Sequence, residues 1–282
     1  MKYDTQYQVM KYLISFLFLF TSLNLFANNF PRLVSTAPSI TESIKYLGGE
    51  KMLVGVSNFC QFNDKTPRIG SAITPNYEKI ISLLPSKVLV SKTADSNLEN
   101  SLKKMNLAYT TLGFNGLEEI LESIKKVGRE IDQEKIANQF VEDVKSELNP
   151  IKSITDKTYL WVISTDVDGE MVNKVMIAGT STHYCQILKM LGLKNPNGIL
   201  QNYHNLSLEQ VIKMRPDYIF ISSPGNISEK VMNNIKKAWE KTTILPAVKN
   251  KKIFFFQGDE FVVPGTSILN MIKKVKDALS AS

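Results

Sequence analysis

The chain has 282 residues, 43% of them hydrophobic, and 34 Lys and Arg against 27 Asp and Glu give a net charge of +7. This is enough apolar chain for one large core or two smaller ones, and it excludes a disordered or fibrous class. The lysines are spread through predicted helices rather than clustered, which argues against nucleic acid as a partner, and two Cys and two His without close spacing match no zinc pattern.

Residues 1–27 read as a signal peptide. Met10-Lys11 precedes the apolar run Tyr12–Phe20, which is too short to span a bilayer comfortably, and Ala27 offers a small residue for cleavage. Met10 would serve as a start as well as Met1, and an uncleaved anchor is the alternative. Cleavage removes two lysines and one aspartate, leaving 255 residues with a net charge of +6. No cysteine lies near the cut, so a lipid anchor is not indicated.

Residues 28–131 are expected to form an α/β lobe. Arg32–Ser35 reads as a strand leading into a helix over Ser39–Leu47, with a second strand at Met52–Val56. A short helix stopped at Pro85, a strand at Val88–Val90, a helix over Asn97–Met105 and a strand at Ala108–Leu112 follow. Strands alternating with helices predict a parallel sheet.

Residues 132–154 are expected to form one long linking helix. Asp132 suits an N-cap, and Ile136, Phe140, Val144 and Leu148 form an apolar stripe. Residues 155–282 restart the α/β pattern. Strands are expected at Tyr159–Ile163, Tyr218–Ile221 and Lys252–Phe256. Helices are expected at Tyr184–Leu191, after Leu206, near Ile235–Trp239 and over Ser267–Leu279.

The two halves share a pattern. Pro75-Asn76-Tyr77-Glu78 runs to Pro85 and Ser91 as Leu206-Ser207-Leu208-Glu209 runs to Pro216 and Ser222. In each, Glu precedes Pro by seven residues and Ser by thirteen. A spacing of 131 residues is no solenoid period. The helix ending at Gly48 likewise resembles the one ending at Gly192, glycine being the residue that tolerates a left-handed cap. The fold class is therefore two similar parallel-sheet α/β lobes, each offering a glutamate near the start of a helix. Taken singly, each glutamate is explained as a first-turn acid favoured by the helix dipole.

No catalytic motif is present: no Gly-x-Ser-x-Gly, no phosphate-binding loop and no Gly-x-Gly-x-x-Gly. The chain reads as a non-enzyme, with a secreted α/β hydrolase using His183 or His204 as base the alternative. Cys60 and Cys185 lie in opposite halves, and export leaves both the bonded and the free state open.

The run Arg32–Glu42, then Leu47-Gly48, Leu53–Ser57, Pro67-Arg68-Ile69-Gly70, Pro75–Glu78 and finally Glu209 with Pro216-Asp217 resembles the class III periplasmic binding proteins of ABC importers. These capture cobalamin, haem or iron-siderophores. The resemblance covers residues 31 to about 280. It implies two α/β lobes on one backbone helix, a ligand cleft between them, a periplasmic monomer, and Glu78 and Glu209 docking to arginines of a permease dimer in the inner membrane. It implies no cofactor of the protein's own, the cargo being a cobalt- or iron-containing chelate. Phe59, Phe62 and Tyr203 stand at or beside aromatic ligand positions of the cobalamin branch, and Asp259 matches an acidic one. Ala72 and Lys92 stand where tryptophans are expected, and Val263 where an arginine is. His183 and His204 fall near the implied cleft, either as iron ligands or as capping and surface residues.

Overall fold

The computed structural model describes residues 30–92, 96–196 and 202–281; the expected signal peptide lies outside them. No helix among the described residues is long and apolar enough to cross a membrane. Arg32–Ser282 forms one compact unit.

Its first half runs β1 (Leu33–Ser35), α1 (Pro38–Tyr46), β2 (Leu53–Val56), α2 (Tyr77–Ser82), β3 (Lys87–Ser91), α3 (Ser96–Lys104) and β4 (Tyr109–Leu112). The strands make an all-parallel sheet in the order β2-β1-β3-β4. Short runs such as Val88-Leu89-Val90 are buried on both faces, as helix-covered parallel strands require.

The helix expected over residues 132–154 is shorter, α5 (Glu134–Glu147), and a separate helix, α4 (Leu117–Glu130), precedes it. Asp132 is not the N-cap. Its φ is 56°, in the left-handed region, and it sits in the break, while Gln133 takes the cap position. The apolar stripe is also rotated from expectation. Ile136 is 45% exposed, and Ala137, Phe140, Val141, Val144 and Leu148 face inward. Close helix packing explains this: a Cβ on Gly128 would stand 2.6 Å from that of Ala137, so small residues occupy the crossing point and the larger Ile136 turns out.

The second half contains β5 (Tyr159–Asp168), β6 (Met171–Ala178), α6 (His183–Met190), β7 (Tyr203–Ser207), α7 (Leu208–Met214) and β8 (Tyr218–Ser223). It continues with α8 (Glu229–Glu240), α9 (Pro246–Lys249), β9 (Ile253–Gln257) and α10 (Ile268–Ser280). Its sheet, ordered β7-β6-β5-β8-β9, is mixed rather than parallel throughout: β5, β8 and β9 pair in parallel, while at one edge β6 pairs antiparallel with β5 and β7 antiparallel with β6. The β5–β6 hairpin turns through Gly169-Glu170, and the outer half of β5 alternates half-buried and exposed residues. The second lobe is therefore α/β, but not a copy of the first.

One buried apolar cluster runs through both halves, from Leu33, Ile40 and Leu89 through Ile124 and Phe140 to Trp161, Tyr184 and Ile272. Smaller clusters cover the outer faces of each sheet.

Candidate functional site

The repeat recurs in the local structure around Glu78 and Glu209. Both side chains are exposed, at the second residue of α2 and of α7. Each helix is capped by a side chain at its start: Asn76 accepts from the Lys79 N–H at 2.9 Å, and Ser207 accepts from that of Gln210 within a reciprocal capping box. Each is followed by a left-handed residue directly before proline, Leu84 (φ 45°) and Arg215 (φ 48°). The residue after that proline then ties back to the start of its lobe's first strand. Ser86 Oγ accepts from the Arg32 N–H (2.9 Å), and Asp217 Oδ2 accepts from the Thr158 N–H (2.8 Å). The other matched pair ends alike too. The N–H of Gly49 reaches Ile44 O as that of Leu193 reaches Leu188 O, around Gly48 (φ 82°) and Gly192 (φ 106°).

Between the halves lies a cleft of about 990 Å³. One wall comes from α1 and the loop after β2, through Thr41, Glu42, Lys45, Phe59 and Gln61. The other comes from the turns after β8 and β9 and the start of α10, through Pro224, Asp259, Val262, Val263, Thr266 and Lys273. Phe59 is 71% exposed, a flat apolar face turned to solvent. Its loop is held by Arg68, whose guanidinium donates to the carbonyls of Ser57 (3.3 Å), Cys60 (2.7 Å) and Phe62 (2.9 Å). Asp259 is fixed from both sides: Oδ2 accepts from Gln61 Nε2 at 2.6 Å across the cleft, and Oδ1 from the Gly225 N–H at 3.2 Å.

Glu42 is a second crossing point. Its Oε1 accepts from Thr266 Oγ1 at 3.2 Å, while Oε2 is buried without a partner, and burial pushes its carboxyl above the usual range. Gln61, Arg68 and Glu42 carry no predicted role, although Arg68 and Glu42 stand inside motifs that were legible. A salt-free hydrogen bond between residues 198 apart leaves no local signal.

Of the predicted ligand residues, Phe59 and Asp259 meet in this cleft. Phe62 lines an adjoining hollow of about 620 Å³ with Lys45, Lys51 and Gln61. Lys92 is ion-paired with Glu119 at 2.5 Å, which holds that carboxyl below its ordinary value. His183 is 3% exposed and lies where the halves meet: its N–H donates to Asn115 O (2.8 Å), and Nδ1 is 3.1 Å from the same oxygen. Burial lowers its pKa to about 4, so it is neutral at physiological pH. Tyr203 and His204 begin the edge strand β7, opposite Ala178 and Ile177. Tyr203 is 45% exposed, and His204 Nε2 is buried with no partner.

The two cysteines are free and buried: Cys60 accepts from Thr41 Oγ1, and Cys185 donates to Ala178 O. Among the described residues, no three His, Cys, Asp or Glu gather as a metal site, and neither histidine lines the cleft. The cleft thus combines an aromatic face with a polar rim, an arrangement suited to holding a small molecule.

Comparison with known proteins agrees with this architecture. The chain is 25% identical over 262 residues to an uncharacterised ABC transporter substrate-binding lipoprotein, YvrC, of Bacillus subtilis, covering 88% of this chain and 79% of that one. The crystal structure of the periplasmic heme-binding protein HutB of Vibrio cholerae superposes with a TM-score of 0.72 at 23% identity, over 88% of this chain and 98% of that one. That of the vitamin B12-binding protein BtuF of the same organism gives 0.69 at 20% identity, over 89% and 97%. Residues 33–260 match the sequence profile of one family, so the chain belongs to the periplasmic binding proteins.

Proposed function

We propose that this chain is the exported solute-binding component of an ABC importer and that it captures a metal chelate (a corrinoid, haem or iron-siderophore) in the cleft and delivers it to a permease dimer. The observation that carries this reading is the pair of exposed glutamates, Glu78 and Glu209, held in the same local structure on the two halves that flank one cleft. Each is an acid that the fold itself leaves in solvent, as a docking charge must be. The relatives named for haem and vitamin B12 support the ligand class. In this reading Phe59 offers a flat face to the macrocycle or chelate, and Asp259 accepts from polar groups at its edge. Phe62 and Tyr203 are secondary candidates. His183 is buried and His204 has one buried ring nitrogen, so metal ligation by either requires local rearrangement. The protein carries no cofactor of its own, works as a monomer, and is released into the periplasm by cleavage near Ala27. The reported relatives are binding proteins and lend nothing to a hydrolase.

The test is titration of the purified protein with aquocobalamin, haemin, ferric citrate and ferrioxamine B, followed by absorption and intrinsic fluorescence. One of them is expected to bind saturably at one per chain, with affinity reduced by Phe59→Ala and unchanged by the Glu78→Ala/Glu209→Ala double variant. Turnover of generic esters or phosphates, with none of the chelates bound, would overturn the reading. Loss of chelate binding in the double glutamate variant would move those residues from docking to the pocket.

A further inference from the structure

The two docking tips share a backbone but not their surroundings. Four residues after Glu209 stands Lys213, and its ammonium lies 2.8 Å from Glu209 Oε1 with both side chains more than 70% exposed. That contact holds the Glu209 carboxyl below its ordinary value. The matching residue after Glu78 is Ser82, whose hydroxyl is turned away to donate to Lys79 O at 2.8 Å. Among the described residues, no cation lies within ion-pair distance of Glu78. The flanks differ as well. Ile81 (44% exposed) and Leu84 (75% exposed) follow Glu78 at three and six residues, and the counterparts after Glu209 are the half-buried Ile212 and the cationic Arg215. One tip therefore offers a carboxylate outside any ion pair, with apolar surface three and six residues on and an unpaired lysine, Lys79, next to it in sequence. The other offers a carboxylate already paired with Lys213 and a second cation, Arg215, at the far end of the same helix.

We propose that docking is asymmetric: the first-half tip, with Glu78, Ile81 and Leu84, anchors the permease, while Lys213 masks Glu209 until a partner cation displaces it. This rests on the reading that both glutamates dock. The partner presents a cation to each tip, because each tip presents an acid. At the first tip that cation meets an unpaired charge and adjoining apolar area, whose burial adds affinity independently of charge. At the second tip the partner's cation gains only what exceeds the lost Glu209–Lys213 pair and is also repelled by Arg215. Lys213 thereby weakens the second contact without touching the ligand cleft, which favours release of the spent protein.

The experiment measures association of ligand-free protein with its permease dimer in nanodiscs, at low and high salt, after circular dichroism has shown each exposed-site variant to be folded. Lys213→Met should tighten binding about two-fold, the factor expected from an exposed pair of this spacing, and the gain should fade at high salt. Lys79→Met, which removes an unpaired lysine from the other tip, reports the effect of net charge alone and should give less. In the Glu209→Ala background, Lys213→Met should give no more than Lys79→Met. Glu78→Ala should cost at least about two-fold more affinity than Glu209→Ala, and Leu84→Ser should weaken binding at both salt concentrations. Equal costs for the two glutamates, or a Lys213→Met gain no larger than that of Lys79→Met, overturn the asymmetry while leaving the docking reading intact. Wild-type binding that survives loss of both glutamates overturns both.

Discussion

Two ionisable residues, one buried and one half-buried, sit where the halves meet, and they pull stability in opposite directions with pH. His183 has its pKa lowered from 6.5 to about 4 by burial, so the unfolded chain binds the extra proton. Its contribution is fully present above about 6.5 and is lost as pH falls towards 4, roughly 3 kcal/mol in all. Glu42 has its pKa raised by burial, its Oε2 lacking a partner. Its contribution is present below the ordinary value of 4.5 and is lost as pH rises through the folded-state value. Thermal unfolding from pH 4 to pH 8 reads both. His183→Gln should flatten the acid-side decline seen in the wild type, and Glu42→Gln should gain on the wild type as pH rises above 4.5. An unchanged acid limb in His183→Gln would mean that another group unfolds the protein in acid. Neither effect was legible in the sequence. A lone His or Glu carries no mark of burial, and Glu42 was visible only as a member of a motif.

Elements with a short-range signal were legible in the sequence, and those decided by a partner strand were not. The paired glutamate helices, their prolines and the Gly48 and Gly192 caps are short-range features, and each was legible as a repeat. The second sheet's β6 and β7 were not. Val172, Val175 and Ile177 form a strand only because β5 extends to meet them, although the Gly169-Glu170 turn was a usable hairpin signal. Asp132 takes the left-handed break and not the cap, two roles that its residue type suits equally. Gly70 shows how an element positions the site. Its φ is 87°, and a Cβ there would stand 2.4 Å from Thr74 O, in the loop that hands the chain to α2. Gly70→Ala should therefore cost at least ~1 kcal/mol of stability. It should also weaken permease docking, by displacing Glu78, more than it weakens chelate binding. A variant as stable as the wild type, with both bindings intact, would show that the loop yields without strain.

At the scale of the molecule, the question is whether the halves close on a ligand like jaws. The continuous apolar cluster from the first sheet through α4 and α5 to the second sheet argues against it, since opening a hinge there would expose core side chains at about 25 cal/mol per Å². The linking helix α5 is also fastened at its end, where Lys276 of α10 pairs with Glu147 at 2.5 Å. Across the cleft, by contrast, the halves are joined by a few polar contacts, chiefly Gln61–Asp259 and Thr266–Glu42. The stiff side and the soft side together predict small motions of the cleft loops within a fixed frame. Small-angle scattering should show no resolvable change in radius of gyration when a chelate binds, while hydrogen exchange slows in residues 57–62 and 258–266. Gln61→Ala should speed chelate dissociation without shifting the thermal midpoint by more than about 4 °C, because an exposed hydrogen bond contributes ~1 kcal/mol or less. A scattering-detected closure, or a large loss of stability in Gln61→Ala, would mean that the cross-cleft bonds hold the frame together and that the shared core does not.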